Sequence, residues 1–562
     1  MKKYILTTIT MLFGLTSILL ICNFFNTNKI NENVKKSMEN YNYFDSKKFN
    51  LDIDNYTDMI MLNIMSYNDN SIIKRSFDNK YGIMYIDKFG DKEVYWNQFE
   101  NLISTLEKRN DDVILYGRFW HGYQIILKPL LMVFTYQQSL FFLSIIGIFL
   151  IVFSCFLLFK KTNFKILMVY LFSLLSLNIF VFNTCYQYYF SMILMIIFNI
   201  IILLNYKPQK FDYKFMFYVI GCLTAYFLFI SFPLITLCFP LLLFMILEFS
   251  NNKFENYKEN ILKIIKCSIF WILGYVLFFL LKWIIGSLFG SENFLENALM
   301  AVNQRLGLTF SFKYIDILKL NLAYFFNFKF NIILVFISLI IIFIKMCKNF
   351  TIKLKIISPF LLIFLMPFIW MFICNNHSGV HYWMVSRLFS ISIFSLLFIS
   401  YFLLSNKQYN EIEHLKIDDY LFLLITLMFF ILYKFNFIFI ILCLFIIFKY
   451  HKNKTLNIYI TLLIILSTLL SINKFFDKRI FNDSLFYENI YKELYHKAIM
   501  YGEEYAKKNN ILVDTKVELH DLIDIINSDS VFLLSCDGYI IVNNESVTPY
   551  INCNNKINIK NN

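Results

Sequence analysis

From about residue 138 onward the chain is a succession of long apolar runs parted by short polar turns. Before them stands one apolar run, from about Tyr4 to Cys22, and then a polar stretch of some hundred residues. Apolar runs of this length match a hydrocarbon core about 30 Å thick. They are expected at about 138–158, 166–184, 187–205, 215–231, 233–249, 264–285, 321–344, 356–374, 384–404, 418–433, 436–449 and 456–473. With the N-terminal run this makes about thirteen crossings. No alternating ten-residue barrel pattern occurs, so each backbone must satisfy its polar groups within its own helix. The expected class is an all-α polytopic transmembrane bundle. Residues 1–25 form an anchor, 26–137 the first outer loop, 138–475 the multi-span bundle, and 476–562 a small extracytoplasmic domain.

Charge fixes the expected sidedness. Lys2 and Lys3 precede the first run, and no small-x-small cleavage site follows it, which reads as an uncleaved anchor with its start inside. Alternating sides from there puts the lysines of 160–165, 207–214, 253–258, 345–355 and 449–454 in cytoplasmic turns. Far fewer cations, Lys282, Arg305, Lys313, Lys319, Arg387 and Lys434, fall on the outer side. The odd number of crossings leaves the C-terminus outside. A net charge of +13 in a chain that is 58% hydrophobic and only 16% charged therefore reports topology, not nucleic-acid binding. The excess of Asn, Lys, Ile and Phe, with little Gly or Pro, is the usage of an AT-rich bacterial genome, which makes the cytoplasmic membrane of a bacterium the expected location.

Polar residues able to do chemistry gather on the outer side, in 26–137, 286–320, 375–387 and the tail. In LDIDNYTDMIML, after Asp52, the i, i+4 pair Asp54 and Asp58 shares one face of a short helix. Ile53, Met59, Ile60, Leu62 and Ile64 would lay that helix on the membrane surface. A carboxylate there serves as a general base or holds a divalent cation against a phosphate leaving group. The plainer alternative is that Asp54 caps the helix. In RFWHGYQIILKPLL, Pro129 is expected to break any helix. Arg118 and Lys128 suit phosphate, and His121 suits a proton or the same anion. In NNHSGVHYWMVSR, His377 and His381 are four apart, but neither HExxH nor a third ligand supports zinc, and an anion pocket with Arg387 fits better. Lys282 ends a span, and Arg305 follows in the next loop.

The stretches LDIDNYTDMIMLNI, YGRFWHGYQIILKPLL, SFPLITLCFPLLL, GYVLFFLLKWIIGS and NHSGVHYWMVSR resemble a family of uncharacterised polytopic membrane proteins of Gram-positive-type bacteria. That family resembles the C-type glycosyltransferases (GT-C), which use sugars carried on polyprenyl phosphate. The resemblance implies an acidic residue of the first outer loop, Asp54 or Asp58, as base or metal ligand. It further implies Arg118, His121, Lys282, His377, His381 and Arg387 as contacts to donor or acceptor, a polyprenyl-phosphate sugar as donor, and an envelope glycan, lipid or protein as acceptor. In that superfamily the acidic residue often follows the first span directly, whereas here Asp52 to Asp58 come about thirty residues later, with Asp45 between. The tail, a polar helical stretch followed by strand-like runs, resembles a pilin-like module, and its Cys536 and Cys553 are candidates for a disulfide outside the cell. A flippase of a lipid-linked sugar and a non-catalytic envelope scaffold are the competing functional classes.

Overall fold

In a computed structural model the described residues are 2–405, apart from 40–46, 49–50, 70, 89–90, 95–96, 208–209, 252–256, 309–311 and 347–349, together with short strands between 538 and 560. The expected spans beyond residue 406, the tail's polar helix, Cys536 and Cys553 lie outside them.

The chain enters with α1 (Lys2–Cys22) and continues outside the bundle through α2 (Thr27–Met38), α3 (Asn55–Ser66), α4 (Ile72–Asp78), α5 (Gln98–Leu106) and α6 (Gln124–Leu131). The bundle follows as α7 (Tyr136–Lys161), α8 (Phe164–Ser176), α9 (Tyr186–Asn205), α10 (Tyr213–Phe227), α11 (Leu234–Ser250) and α12 (Tyr257–Phe289). Next come α13 (Phe294–Leu306), α14 (Tyr314–Asn327), α15 (Lys329–Met346), α16 (Phe350–Ile373), the short α17 (Asn375–Val380) and α18 (Tyr382–Val385), and α19 (Phe389–Ser405). Seven stretches are long and apolar enough to cross a membrane: α1, α7, α9, α12, α15, most of α16, and Tyr382–Ser405. Three shorter apolar helices, α8, α10 and α11, occupy the other expected spans within the described residues. In the tail, Gly538–Val542 and Ser546–Ile551 pair antiparallel.

α11 shows why the centre is where it is. Leu234 through Glu248 are all buried, and a helix apolar on every face has to be surrounded. α9 and Tyr382–Ser405 flank it with 78% of their apolar windows buried, whereas α7, α12 and α15 bury about a third or less and expose Phe, Ile and Leu outward. Contacts also sort the helix ends. Lys3 Nζ reaches Asp212 at 3.0 Å, Lys161 Nζ the Tyr206 carbonyl at 3.4 Å, and Asn163 Nδ2 the Tyr401 hydroxyl at 3.0 Å, so the basic turns share one end. The polar segments before α7, around α13 and at α17 meet at the other.

Four expectations need correction. The span at 321–344 is two helices. Phe328 (φ −78°, ψ 91°) interrupts it, and Asn331 Nδ2 bonds the Phe325 carbonyl that the break releases, at 2.9 Å. α14 belongs with the polar layer, where Asn321 Nδ2 bonds the Ser378 carbonyl, and of the two only α15 is long and apolar enough to cross a membrane. The α3 helix is not laid on a surface. Residues Asp58 to Ser66 are buried without exception, because a small polar domain covers the side that water or headgroups were expected to wet. Within it the Asn63 amide pairs with both backbone groups of Gly82 at 3.0 Å, like one more rung of the strand pair Tyr81–Ile83 and Asp112–Ile114. α6 runs through Pro129. The carbonyl that proline leaves without a donor is that of Ile125, four residues back, and the Cys22 thiol points at it from 3.8 Å. The crossing expected at 264–285 is longer, extending from Tyr257 to Phe289.

α10 lies against α12 on reciprocal glycines. A Cβ on Gly221 would stand 2.1 Å from the Trp271 carbonyl, and one on Gly274 2.2 Å from the Tyr218 carbonyl. Small residues let membrane helices approach backbone to backbone, where dispersion replaces the missing hydrophobic drive. Gly221→Leu or Gly274→Leu should lower stability in detergent by about 1–3 kcal/mol, the usual cost of overpacking. Gly14→Leu, where nothing lies within 4 Å, should be near neutral. Thermal unfolding of the three variants checks this.

Candidate active site

The two aspartates of the acidic motif have different neighbours. Asp58, fully buried in α3, accepts from the Tyr136 hydroxyl at 2.7 Å, the Tyr186 backbone N–H at 2.7 Å and the Gln187 backbone N–H at 3.1 Å. The last two are orphan donors at the start of α9, so the carboxylate caps that helix from another element and meets its positive end. Burial nonetheless outweighs these bonds, and with the negative charge of Asp54 nearby the pKa is pushed up to about 7. Asp58 is filled.

Asp54 is half used. Its Oδ1 accepts from the Thr57 N–H at 3.0 Å, which is the capping role, while Oδ2 is buried with no partner among the described residues. Burial raises its pKa, against the Thr57 bonds and the charge of Arg387, which lower it. Arg387 mirrors this state. Its Nη1 donates to the Tyr188 hydroxyl at 3.2 Å and to the Trp383 carbonyl, and the guanidinium lies 4.4 Å above the Tyr188 ring. Nε and Nη2 are buried without acceptors among the described residues. A carboxylate oxygen and two guanidinium donors thus lie in one another's electrostatic range without an ion pair closing between them.

A second basic group adjoins this one. Arg305 Nη1 reaches His377 Nδ1 at 3.0 Å, and His377 Nε2 faces the Ser231 carbonyl at 3.4 Å. An arginine can only donate, so Nδ1 accepts and the proton sits on Nε2. Burial holds the His377 pKa well below the usual histidine range and that of His381 down to about 3, with Arg305 adding to both shifts. The two rings are 4.7 Å apart, and His381 Nδ1 is buried without a partner among the described residues. Arg118 contributes its charge to this group. Its Nη1 bonds Asn297 at 3.2 Å, and its guanidinium lies 4.5 Å over Tyr116. Gln187 joins the two groups, its backbone on Asp58 and its side chain on the Ser231 hydroxyl.

The other expected site residues serve the scaffold. His121, held at φ 53°, accepts from the Tyr123 hydroxyl at Nδ1 (3.0 Å) and donates from Nε2 to the Tyr116 carbonyl (2.8 Å). Burial pushes its pKa down to about 3, so it is neutral with both nitrogens engaged. Lys128 donates to Asn23 Oδ1 at the end of α1, and burial with the Arg75 charge pushes its pKa down to about 7. Lys282 donates to the Phe77 carbonyl at 3.0 Å and closes the end of α4. Residue type alone missed Gln187, Tyr188, Ser231 and Tyr136. For Gln187 and Tyr188 the one signal was a polar and aromatic entry, TCYQYYF, into an otherwise apolar run, and nothing in the residue pattern pointed to Ser231 or Tyr136.

The expected divalent cation does not suit these donors. Asp58 is occupied by three protein donors, Arg387 places a positive charge beside the single free oxygen of Asp54, and no cluster of three His, Cys, Asp or Glu occurs among the described residues. The histidine pair is equally ill suited to zinc, since His377 is engaged at both nitrogens. Compared with known proteins, the chain matches no family model, no curated protein and no solved structure.

The raised pKa of Asp58 has a consequence with a definite sign. A carboxyl that binds its proton more tightly when folded stabilises the fold fully below its unfolded value of about 4, and this is lost as pH rises through about 7. The stability of the native chain relative to Asp58→Asn should therefore fall between about pH 4 and pH 7 and level off above. Parallel pH-dependent unfolding of the two proteins measures it.

Proposed function

We propose that the protein transfers a sugar from a polyprenyl-phosphate-linked donor to a cell-envelope acceptor at the end of the bundle that carries its polar layer. The observation that supports this most is that an Asp54 oxygen and Arg387 Nε and Nη2, all buried without partners among the described residues, lie in one another's electrostatic range. An acceptor hydroxyl attacks the anomeric carbon and forms the new glycosidic bond. The bond from that carbon to the lipid phosphate oxygen breaks, and its electron pair stays on the phosphate. Asp54 takes the hydroxyl proton, and its raised pKa makes it a stronger base than an ordinary aspartate. Arg387 offers a two-donor fork to the departing phosphate, whose negative charge grows in a dry site where such donors act most strongly.

Transport of a lipid-linked sugar is less well supported. A pathway through the bundle calls for ionisable groups along its length. Among the described residues the buried charged groups with idle atoms gather at one end, and at the other Glu248 is closed by Lys263 and the Tyr206 hydroxyl. Asp58 serves as a positioning residue, since it fixes α3 and therefore Asp54 against α9.

Asp54→Asn is the decisive variant because asparagine keeps the helix cap while losing the base. It should fold normally and lose transfer by about 10²- to 10⁴-fold. Sugar analysis of the envelope, beside single-turnover assays with polyprenyl-phosphate donors, reads the loss. Undiminished transfer by folded Asp54→Asn protein ends the proposal.

A further inference from the structure

The two basic groups are separate. Arg387 works with Tyr188 and Asp54, whereas Arg305 works with His377, His381 and Arg118, and Trp383 stands between them. The Trp383 carbonyl takes an Arg387 N–H, and its ring lies 5.4 Å from that of His381. One phosphate on a lipid donor calls for one such group. The second therefore needs its own account.

Among the described residues no ion pair neutralises it, and Glu292, which feels the charge of Arg118, forms none with it. Arg305 has no carboxylate within ion-pair distance among the described residues, its side chain reaching His377 instead, and Arg118 repels it. Arg118 Nε and His381 Nδ1 are buried without acceptors among the described residues. Gathering like charges and idle donors out of water costs several kcal/mol, and an anion bound among them reverses both penalties. Aromatic faces adjoin the same place. Tyr116 lies beneath the Arg118 guanidinium and is partly buried, and Phe229, also partly buried, packs 6.2 Å from it. A ring with an apolar face and an attached anion matches this combination of flat aromatics and forked donors.

We infer that the acceptor is an anionic glycan. Its phosphate or carboxylate is held by Arg305, Arg118 and His381, and its sugar ring lies along Tyr116 and Phe229. This rests on the glycosyl-transfer reading for the word acceptor. The anion site itself does not depend on transfer, so it is tested by binding.

Full-length protein in phosphatidylcholine nanodiscs is titrated with galactose 6-phosphate, galacturonate and uncharged galactose, and saturation-transfer NMR reads occupancy. Both charged sugars should bind, and galactose should bind at least about tenfold more weakly, as expected when a guanidinium–anion contact is lost. Arg305→Gln should weaken the charged sugars by about tenfold, Arg305→Lys by less, and Arg387→Gln by no more than about twofold, since it lies in the other group. Arg118→Gln provides the same loss if Arg305→Gln fails to fold. Equal binding of galactose overturns the inference, as does an equal loss in Arg387→Gln, which would make the two groups one site. Displacement of galactose 6-phosphate by phosphatidylglycerol added to the nanodisc overturns it too, in favour of a lipid headgroup. Loss of transfer in Asp54→Asn without charged-sugar binding removes this inference alone. Charged-sugar binding with transfer intact in Asp54→Asn removes the catalytic reading alone.

Discussion

A single buried carboxylate ties the polar layer to the bundle. Asp58 on α3 takes the first backbone N–H groups of α9 and the hydroxyl of Tyr136 at the start of α7. Those N–H groups have no intrahelical acceptor and no water to turn to, so without Asp58 they would be left unpaired in a dry interface. The same contact holds the first turn of α3 against α9, and Asp54 caps that turn. The position of Asp54 against α9 thus follows from a helix cap made across elements by backbone hydrogen bonding.

Around that latch, polar side chains divide by whether the fold consumes them. Asn63, His121, Lys128 and Lys282 each close a gap left by backbone geometry: a strand edge, a left-handed turn, the end of α1, the end of α4. Their hydrogen-bonding capacity is committed to the scaffold. Asp54, Arg387, His381 and Arg118 retain buried atoms with nothing to bond among the described residues. Proteins seldom leave such groups idle, because each one costs about 1–3 kcal/mol. That their idle atoms converge at one end of the bundle, on both sides of Trp383, is what separates a site from a set of polar residues.

The same division decides how the acidic motif is to be understood. Sequence spacing treats Asp54 and Asp58 as equivalent members of one helical face, and either could be a base or a cap. In the fold both act as caps. Asp58 caps a helix that is 128 residues away in the chain and is saturated by it. Asp54 caps its own helix with one oxygen and keeps the other free. No rule of local spacing distinguishes these, since the difference lies in what α9 brings against α3.

Apolar run length was enough to indicate a mostly helical chain with several helices able to cross a membrane, because every lipid-exposed backbone must bond within its own segment and so writes itself as a long apolar word. The separation of the polar segments from the apolar runs, and the residue types Asp, Arg and His within them, were legible for the same reason. Tertiary structure alone decided the rest: the break at Phe328, the burial of α3 under a polar domain, and helix continuing through Pro129 with a thiol facing its orphan carbonyl. It also decided which of eight expected cationic and histidine contacts remain free. Those outcomes depend on partners far along the chain, and a side chain's hydrogen-bonding capacity is settled only when its distant neighbours arrive.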